Sequence, residues 1–343
     1  MRVGFVGAGF MGQVAHLRNY VGLAACEIVA LAERRPKLRE QVAQRYGIPR
    51  TYESHEELAA DDEVEAVVAI LPHALNDQVA CDLLAAGKHV LTEKPMAASL
   101  AAARRMANEA EASGKHLMIG YMKRYDAGAE LAKGLIDRFR ETGELGEMTF
   151  VRSHCFGGDW ICNIDPPIRT DEPYPAWTPT PLPEWVPEDL RTPFDQFNNV
   201  YCHNLNLLRY LLDDPLEVES VSLSRPGRVV VFNAGGTTVS LEAGGISRNV
   251  WDEETKLYFR DGWVEILTPS PLAHNIPAKV QVYRAGSIQE LSEPMAPWTW
   301  AFRRQAEHFV RCVNEDVEPR SSGRDSLRDL ELLEGIFRMH LAM

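Results

Sequence analysis

The feature that most constrains the fold is a glycine pattern near the N-terminus, Gly7-Ala8-Gly9-Phe10-Met11-Gly12. It follows the short apolar run 2–6 and precedes a helical pattern, so it predicts a tight strand-to-helix turn. In such a turn the first glycine makes the bend, the second lets the backbone approach a ligand, and the third lets the helix pack on the strand. The pattern therefore favours a parallel βαβ unit at the start of the chain.

An acidic side chain, Glu33, lies about twenty residues beyond the glycines, just past the second predicted strand. A carboxylate at this place accepts a hydrogen bond from the 2′-hydroxyl of an adenosine ribose. We therefore predict a dinucleotide whose pyrophosphate lies at the helix N-terminus. Glu33 favours NAD, whereas Arg34 and Arg35 directly after it leave NADP open, since an arginine there can hold a 2′-phosphate.

The two parts of the chain differ in their hydrophobic pattern. Through residue 122, β-branched runs alternate with Ala- and Leu-rich helical patterns, which predicts an α/β Rossmann domain with a doubly wound parallel sheet. Its strands are predicted at 2–6, 27–32, 64–71, 89–92 and 116–120, with a helix over 79–86 that ends at Gly87.

Residues 123–343 have a strand-rich pattern with few helix-length connections, which predicts a C-terminal α/β domain with an open, mostly antiparallel sheet. The late helices within 298–343 are able to pack back on the Rossmann domain. Strands are predicted at 147–154, 216–224, 228–233, 237–242, 256–260, 264–268 and 279–284, and helices at 127–140, 199–212, 298–314 and 324–339.

Composition excludes several classes of protein. The 343 residues are 45% hydrophobic and 25% charged, which is typical of a globular chain of about two domains. With 36 Lys and Arg against 49 Asp and Glu, the net charge of −13 disfavours nucleic acid as a partner. The longest apolar stretch, 66–71, is too short to cross a membrane, and the glycine-interrupted N-terminus does not resemble a signal peptide. We expect a cytoplasmic protein.

The cysteines point to reduced, mostly buried thiols rather than to a metal site. There are six, and they form no Cys-x-x-Cys pair. We predict no bound metal. One alternative stays open, in which an ion is held by residues that converge in the fold: His154, Cys155, Cys162, Cys202 and His203.

A segment rich in proline and aromatic residues, 157–193, fits neither pattern. A structureless stretch of this length is usually functional or disordered, and its tryptophans and tyrosine disfavour disorder. We interpret it as a lid or substrate wall, with Trp160 as a candidate for stacking on a sugar ring. The alternative is an arm that packs on a partner subunit.

Three stretches, 86–95 (AGKHVLTEKP), 120–126 (GYMKRYD) and 203–211 (HNLNLLRYL), resemble the glucose-fructose oxidoreductase, inositol dehydrogenase and MocA (Gfo/Idh/MocA) family. The resemblance runs over nearly the whole chain. It implies that Lys94 and His203 are catalytic and that Arg124 lies near nicotinamide and substrate. It also implies a homodimer or homotetramer, in which the exposed face of the second sheet is covered.

The residues themselves are suited to these roles. Oxidation of a carbinol by nicotinamide needs a base for the hydroxyl proton. Lys94 at a strand end would release its own proton readily beside a cationic ring, and His203 could share the transferred proton. The alternative for each residue alone is a surface lysine or a core histidine.

The chain departs from the family at two places. Asn199 and Asn206 stand where aspartates are usual, so Asn199 can orient a substrate hydroxyl but cannot stabilise a positive charge. Residues 71–76 (LPHALN) replace the family's TPNxxH, which changes the side chains expected near nicotinamide.

These arguments give two sets of candidate site residues. The predicted cofactor set is Gly7, Gly9, Phe10, Met11, Gly12, Glu33, Arg34, Leu71, Pro72, Asn76, Glu93 and Lys94. The predicted substrate set is Arg124, Tyr125, Trp160, Asn199 and His203, of which Asn199 and His203 join Lys94 in catalysis.

The expected reaction is NAD(P)-dependent hydride transfer to or from a secondary hydroxyl of a sugar, sugar derivative, glycoside or cyclitol. One alternative is a redox-neutral enzyme that keeps NAD bound and oxidises a ring hydroxyl transiently before elimination or epimerisation. A second alternative is a non-catalytic, ligand-sensing regulator, which the presence of both Lys94 and His203 disfavours.

Overall fold

The computed structural model describes residues 1–161, 165–223, 226–247 and 250–343. Contacts divide the chain into two compact units. The first consists of Met1–Tyr121, Asp165–Asn199 and Phe302–Leu330, and the second of the described residues of 122–164 with Val200–Ala301 and Glu331–Met343. Residues 165–199 and 302–330, which lie beyond the break predicted at residue 122, belong to the first unit by their contacts.

The first unit contains a parallel sheet. Its strands are β1 (Arg2–Val6), β2 (Glu27–Ala32), β3 (Arg50–Tyr52), β4 (Ala66–Ala69), β5 (His89–Thr92) and β6 (Leu117–Ile119). Their order is β3-β2-β1-β4-β5-β6, with every neighbouring pair parallel. This order confirms the doubly wound Rossmann sheet and places the change of winding direction between β1 and β4.

The central strands are apolar on both faces because helices cover both sides of the sheet. Val3 and Phe5 of β1 and Val67 and Val68 of β4 are fully buried. Each such side chain contributes about 1.5–3 kcal/mol through burial. The edge strand β3 was not predicted, since its three residues are only partly buried and contain no apolar run.

Helices of the first unit begin and end at recognisable signals. Ser99 caps the helix that follows it by accepting a hydrogen bond from Ala102 N, and Gly114 ends that helix with a φ of 64°. Gly87, with a φ of 78°, makes the predicted turn into β5. The helices are α1 (Arg18–Val21), α2 (Pro36–Tyr46), α3 (His55–Ala59), α4 (Asn76–Ala85), α5 (Leu100–Ser113), and most of α8 (Ala301–Glu315), while α9 (Gly323–Leu341) begins here.

The second unit contains a mixed sheet. Its strands are β7 (Met148–Gly157), β8 (Glu217–Ser222), β9 (Arg228–Ala234), β10 (Thr237–Gly245), β11 (Asp252–Phe259), β12 (Gly262–Leu267), β13 (Lys279–Arg284) and β14 (Glu290–Ser292). Their order is β14-β13-β12-β11-β7-β10-β9-β8. All pairings are antiparallel except that of β7 with β10, which confirms the mostly antiparallel sheet.

Two predicted element boundaries lie four or more residues from those of the structure. Strand β11 begins at Asp252 rather than at 256, because its alternate residues Glu253 and Thr255 are buried although they are polar. Helix α7 (Glu188–Leu212) begins eleven residues before the predicted 199, because Pro193 lies inside the helix and was taken as a sign of a loop. This unit also contains α6 (Ala127–Thr142) and the part of α9 from Glu331 onward, whereas residues 188–199 of α7 belong to the first unit. The predicted strand end at Ser224 lies outside the described residues.

Among the residues that the structure describes, no helix is both long and apolar enough to cross a membrane.

Helix α8 carries a histidine that should make stability depend on pH. Burial and the nearby Arg320 and Arg311 lower the His308 pKa from 6.5 to about 4, and Arg320 N donates to its Nε2 at 3.1 Å. Between these two pH values the unfolded chain binds a proton at His308 that the folded chain does not bind, so lowering the pH destabilises the fold.

We predict that the urea midpoint of the wild type falls more steeply between pH 6.5 and 4.5 than that of His308→Gln, which lacks the titrating ring. Carboxylates contribute equally to both curves. Parallel curves would contradict the assignment.

Candidate active site

The glycine turn is shaped by close backbone packing. Gly7 has a φ of 87°, and a Cβ there would collide with the carbonyl oxygen of Ile70. A Cβ at Gly12 would lie 2.7 Å from Gly7 O, whereas a Cβ at Gly9 would meet nothing within 4 Å. The first and third glycines are therefore required by packing, and the second faces open space. This is the arrangement that lets a pyrophosphate approach the backbone.

The helical residues after the turn begin at Phe10 and Met11, both half-buried, and run to residue 21. Six of them, Gly12–Leu17, form a π-helical turn, a form that often occurs at functional sites. Gln13 holds the turn by donating from Nε2 to Ala8 O at 2.8 Å.

Glu33, directly after β2, is 6% exposed and surrounded by donors. It accepts from Ala8 N at 2.9 Å and from Arg35 N, Nε and Nη2 at 3.1, 2.9 and 3.0 Å. Burial alone would raise the Glu33 pKa, but the Arg35 guanidinium and the two N–H groups outweigh burial and hold it below its ordinary value. The carboxylate is therefore ionised. A ribose hydroxyl has to replace one of these four donors, since a carboxylate accepts about four hydrogen bonds.

The two arginines after Glu33 have different partners. Arg34 donates to Ala176 O at 2.7 Å, while the Arg35 guanidinium lies 4.8 Å from the centre of the Tyr174 ring. The sequence predicted Arg34, but not Arg35, as a cofactor residue. In the structure it is Arg35 that binds the Glu33 carboxylate.

A cavity of about 670 Å³ opens at the carboxyl ends of the strands. Its volume is within the usual range for a small-molecule site. The predicted cofactor residues that line it are Gly7, Gly9, Glu33, Arg34, Leu71 and Pro72. Residues 174–178 of the proline-rich segment also line it. That segment therefore lies beside the predicted cofactor residues, and its role as a lid or substrate wall stays a prediction.

The backbone around Lys94 is held from two sides. Glu93, 7% exposed, accepts from Lys94 N at 3.1 Å and from His16 Nε2 at 2.7 Å. Asn76, 1% exposed, donates from Nδ2 to Glu93 O at 2.8 Å and to Pro95 O at 3.0 Å. The Lys94–Pro95 peptide bond between these carbonyls is cis. Asn76 and Glu93, predicted to bind cofactor, thus position the lysine in this structure.

The Lys94 ammonium donates to Asn199 O at 2.7 Å and to Asn199 Oδ1 at 3.2 Å. Asn198 donates to Ala97 O at 3.0 Å, so two successive residues of α7 bind the loop after β5. The partners shown for the ammonium are uncharged oxygens. The structure therefore brings together Lys94 and Asn199 from the predicted catalytic set.

His203, the third predicted catalytic residue, lies one helical turn after Asn199 on α7 and is half-buried. Positions four apart share one face of a helix. Asn199 falls in the first compact unit and His203 in the second. The catalytic role of His203 stays a prediction.

The predicted substrate residues of the second unit are differently placed. Arg124, 3% exposed, donates to Asn206 O at 3.3 Å, and Tyr125 is 1% exposed, so both side chains are buried. Trp160 is 39% exposed, and its carbonyl accepts from Ser270 Oγ at 3.1 Å. Their roles in binding substrate stay predictions.

Sequence reasoning missed a buried ion pair in the second unit, between Lys123 and Glu253. Glu253 also accepts from Asn204 Nδ2 at 2.8 Å and from Trp251 Nε1 at 3.0 Å. Burial and then the charge of Glu253 raise the pKa of Cys155 to about 12, so that thiol is unreactive. No local pattern signals a pairing between positions 130 residues apart.

The described residues contain one group with a metal-like donor set, His55, Glu56 and Asp82, of which the two carboxylates are exposed. Both ring nitrogens of His55 already bond to the carboxylates, at 3.2 and 2.9 Å. In the alternative metal set, His154 bonds Asp252 at 2.8 Å, and Cys162 lies outside the described residues.

Sequence comparison finds relatives among oxidoreductases. Residues 1–121 match the sequence model of the GFO_IDH_MocA family, described as an oxidoreductase family with an NAD-binding Rossmann fold. The inositol 2-dehydrogenase of Agrobacterium fabrum is 26% identical over 294 residues, covering 82% of this chain and 78% of that protein. The trans-1,2-dihydrobenzene-1,2-diol dehydrogenase of Mus musculus is 31% identical over 160 residues, 46% of each chain.

Among solved structures, the aldose-aldose oxidoreductase of Caulobacter crescentus has the same fold, with a TM-score of 0.74 at 22% identity. The likeness covers 100% of this chain and 98% of that one. The family match covers the Rossmann unit alone, whereas this likeness in fold extends over the second sheet domain as well.

The contact between Lys94 and Asn199 gives a testable prediction. In Asn199→Asp a carboxylate would replace the amide oxygen 3.2 Å from the ammonium and favour its charged form. We expect the neutral-to-alkaline limb of the kcat/KM–pH profile to move up by roughly one pH unit.

The neutral variant Asn199→Ser serves as the control for loss of the amide. A profile that does not move in Asn199→Asp, or that moves equally in Asn199→Ser, would show that charge at this position does not govern the reaction.

Proposed function

We propose that this chain, whose residues 1–121 match the model of the Gfo/Idh/MocA family of NAD-binding oxidoreductases, moves a hydride between nicotinamide and a secondary hydroxyl. The proposed substrate is a sugar, sugar derivative, glycoside or cyclitol. The names of the two relatives support this class, because both denote alcohols on ring carbons. The observation that carries the proposal is the Lys94 ammonium, held against Asn199 at the same sheet edge as the glycine turn.

The residues that fit the dinucleotide are those of the cavity. Gly9 leaves room for the pyrophosphate, and Glu33 offers its carboxylate to the ribose. When bound, nicotinamide supplies the hydride acceptor or donor. The chain itself has to orient the substrate and move one proton.

Lys94 is the proposed acid and base. An ammonium has three donors, and two of them are directed at Asn199, so one is left for a substrate oxygen. In oxidation the neutral amine takes the hydroxyl proton as hydride leaves the same carbon; in reduction the ammonium returns the proton to the carbonyl oxygen. His203 is proposed to hydrogen-bond the reacting or adjacent hydroxyl, and Asn199 to orient it.

The charge at Glu33 supports NAD over NADP. A 2′-phosphate would face a carboxylate that is 6% exposed and ionised, while the nearest guanidinium, that of Arg35, is committed to the same carboxylate. The repulsion of two buried negative charges is costly.

The redox-neutral alternative is favoured by one observation, the wall that residues 174–178 form along the nucleotide cavity. A covered nucleotide suits a reaction that returns its hydride. The regulator alternative remains disfavoured by the presence of Lys94 and His203. The homodimer or homotetramer and the cytoplasmic location stay predictions.

We predict that nicotinamide absorbance, recorded with NAD over a panel of sugars, cyclitols and glycosides, reveals a substrate for the wild type. In Lys94→Ala the value of kcat/KM should fall roughly 10²- to 10⁴-fold, the contribution of a general acid or base. NAD affinity should be retained.

Thermal unfolding of Lys94→Ala checks that the fold is intact. An unreduced rate in a folded Lys94→Ala would reject this residue as the proton carrier. Chromatography of reactions without an absorbance change identifies a redox-neutral conversion, in which product forms with substoichiometric NAD.

For cofactor choice, we predict that Glu33→Ser changes the ratio of the NAD and NADP dissociation constants at least about tenfold in favour of NADP. The variant removes the ribose acceptor and frees Arg35 for a 2′-phosphate. Calorimetric titration with each nucleotide measures the ratio.

Glu53→Ser, which removes an exposed carboxylate from the same cavity, is the matched control. An unchanged ratio in Glu33→Ser would mean that Glu33 does not select the nucleotide.

A further inference from the structure

A second polar pair lies beside Lys94 and Asn199 at the same edge of the parallel sheet. His73, in the short turn after β4, donates from Nε2 to Oδ1 of Asp195 on α7 at 2.8 Å. All four residues belong to the first unit. The proton transfer assigned to Lys94 makes no use of this second pair.

Helix α7 brings the two pairs together. Asp195 and Asn199 are four positions apart, so their side chains extend from one face of the helix with Cβ atoms about 5–6 Å apart. Asp195 bonds the turn after β4, and Asn199 bonds Lys94 in the turn after β5. The order of these contacts along the helix therefore follows the order of two neighbouring strands.

The two turns are also bound to each other. Asn76, at the end of the turn after β4, donates from Nδ2 to the carbonyl oxygens of Glu93 and Pro95. These carbonyls flank Lys94 in the chain. Hydrogen bonds between the helix and both turns, and between the turns themselves, therefore fix the place of Asp195 relative to the lysine.

Asp195 keeps one carboxylate oxygen available. A carboxylate only accepts hydrogen bonds, so His73 Nε2 carries the hydrogen of the pair. Within the part of the chain that the structure describes, Asp195 Oδ2 has no hydrogen-bond partner, and this side chain is 42% exposed. The carboxylate is therefore oriented through Oδ1 and open to a ligand through Oδ2.

The available oxygen suits a hydroxyl of the substrate. A carboxylate is a strong acceptor for an O–H donor, while the third hydrogen of the Lys94 ammonium is left for the reacting oxygen. Asp195 lies one helical turn from Asn199, which holds that ammonium. This separation is comparable to the distance between oxygens on opposite carbons of a six-membered ring. A ring with a single hydroxyl reaches only one of the two groups.

We propose that the His73–Asp195 pair selects the substrate, by accepting a hydrogen bond from a second hydroxyl across the ring from the one that Lys94 deprotonates. This inference rests on the proposed function and narrows its substrate to cyclitols and pyranoses with a free hydroxyl at that place. Asp195 contacts the substrate, whereas His73 is a positioning residue that holds the carboxylate. No covalent bond forms or breaks at either residue.

A purely structural role for the pair has a different signature. If the pair only fastened α7 to the turn after β4, its removal would impair every substrate alike. A contact with one hydroxyl affects only those substrates that carry it. The ratio of kcat/KM between a substrate and its analogue without that hydroxyl therefore separates the two roles.

The test uses the full chain with NAD. The parent probe is myo-inositol or D-glucose, whichever the wild type oxidises with the higher kcat/KM, and the analogues are its monodeoxy derivatives. Product analysis identifies the reacting carbon. In the wild type, loss of the hydroxyl across the ring from that carbon should lower kcat/KM roughly 10- to 100-fold, the contribution of a hydrogen bond to a charged group.

In Asp195→Ala the parent should fall to the level of that analogue, while kcat/KM for the analogue itself stays within about twofold of the wild-type value. His73→Gln keeps a donor for the carboxylate and should retain most of the ratio, whereas His73→Leu should lose it. Glu188→Ala, which removes an exposed carboxylate from the first turn of α7, is the matched control and should keep wild-type values. Thermal unfolding checks that each variant is folded.

The proposal is overturned if Asp195→Ala keeps the wild-type ratio, or lowers kcat/KM equally for the parent and all its analogues. It is also overturned if neither probe is oxidised while another sugar, cyclitol or glycoside is oxidised with dependence on Lys94, and the proposed function then stands without it. If no member of that panel supports Lys94-dependent hydride transfer, the proposed function fails as well.

Discussion

Parallel pairing of the strands in the order β3-β2-β1-β4-β5-β6 is the constraint on which the site depends. Because parallel strands all end at the same edge, the turns after β1, β2, β4 and β5 meet there. Those turns carry the glycines, Glu33, the 71–76 segment and Lys94. Apolar burial of the central strands fixes this edge and thereby sets the positions from which the polar residues extend.

Electrostatic pairing then decides what each charged group at the edge can do. Glu93 is committed to His16 and to the backbone of Lys94, and Glu33 is committed to Arg35. Lys94 instead meets the uncharged oxygens of Asn199. An amine with uncharged neighbours can exchange a proton without breaking an ion pair, which is what an acid and base needs. Glu93 therefore positions the backbone of Lys94, and the lysine side chain remains available.

Short sequence patterns predicted those strands and turns whose formation depends mainly on residues close together in the chain. Strands β1, β2, β5 and β13 have the predicted bounds, since each is a short β-branched or apolar run, and Gly87 turns as expected. Short edge strands such as β3 and β14 have no such run and were missed. The glycine turn and Glu33 were found because their spacing is fixed by the ligand. His16, which pairs with Glu93, and Lys123, which pairs with Glu253, lie 77 and 130 residues from their partners and have no local signal. The proline-rich segment was recognised as unusual, but the contacts of Glu172 with α2 and of Thr180 with Asp77 depend on tertiary structure.

The central claim is that one edge of the first unit holds both the nucleotide and the lysine that moves the proton. A crystal structure of the chain with bound NAD tests it most directly. The account predicts ribose hydroxyls on Glu33, pyrophosphate over Gly9, base beneath residues 174–178, and the nicotinamide ring extended toward Lys94. Nucleotide bound elsewhere on the folded chain, or a nicotinamide ring directed away from Lys94, would contradict it.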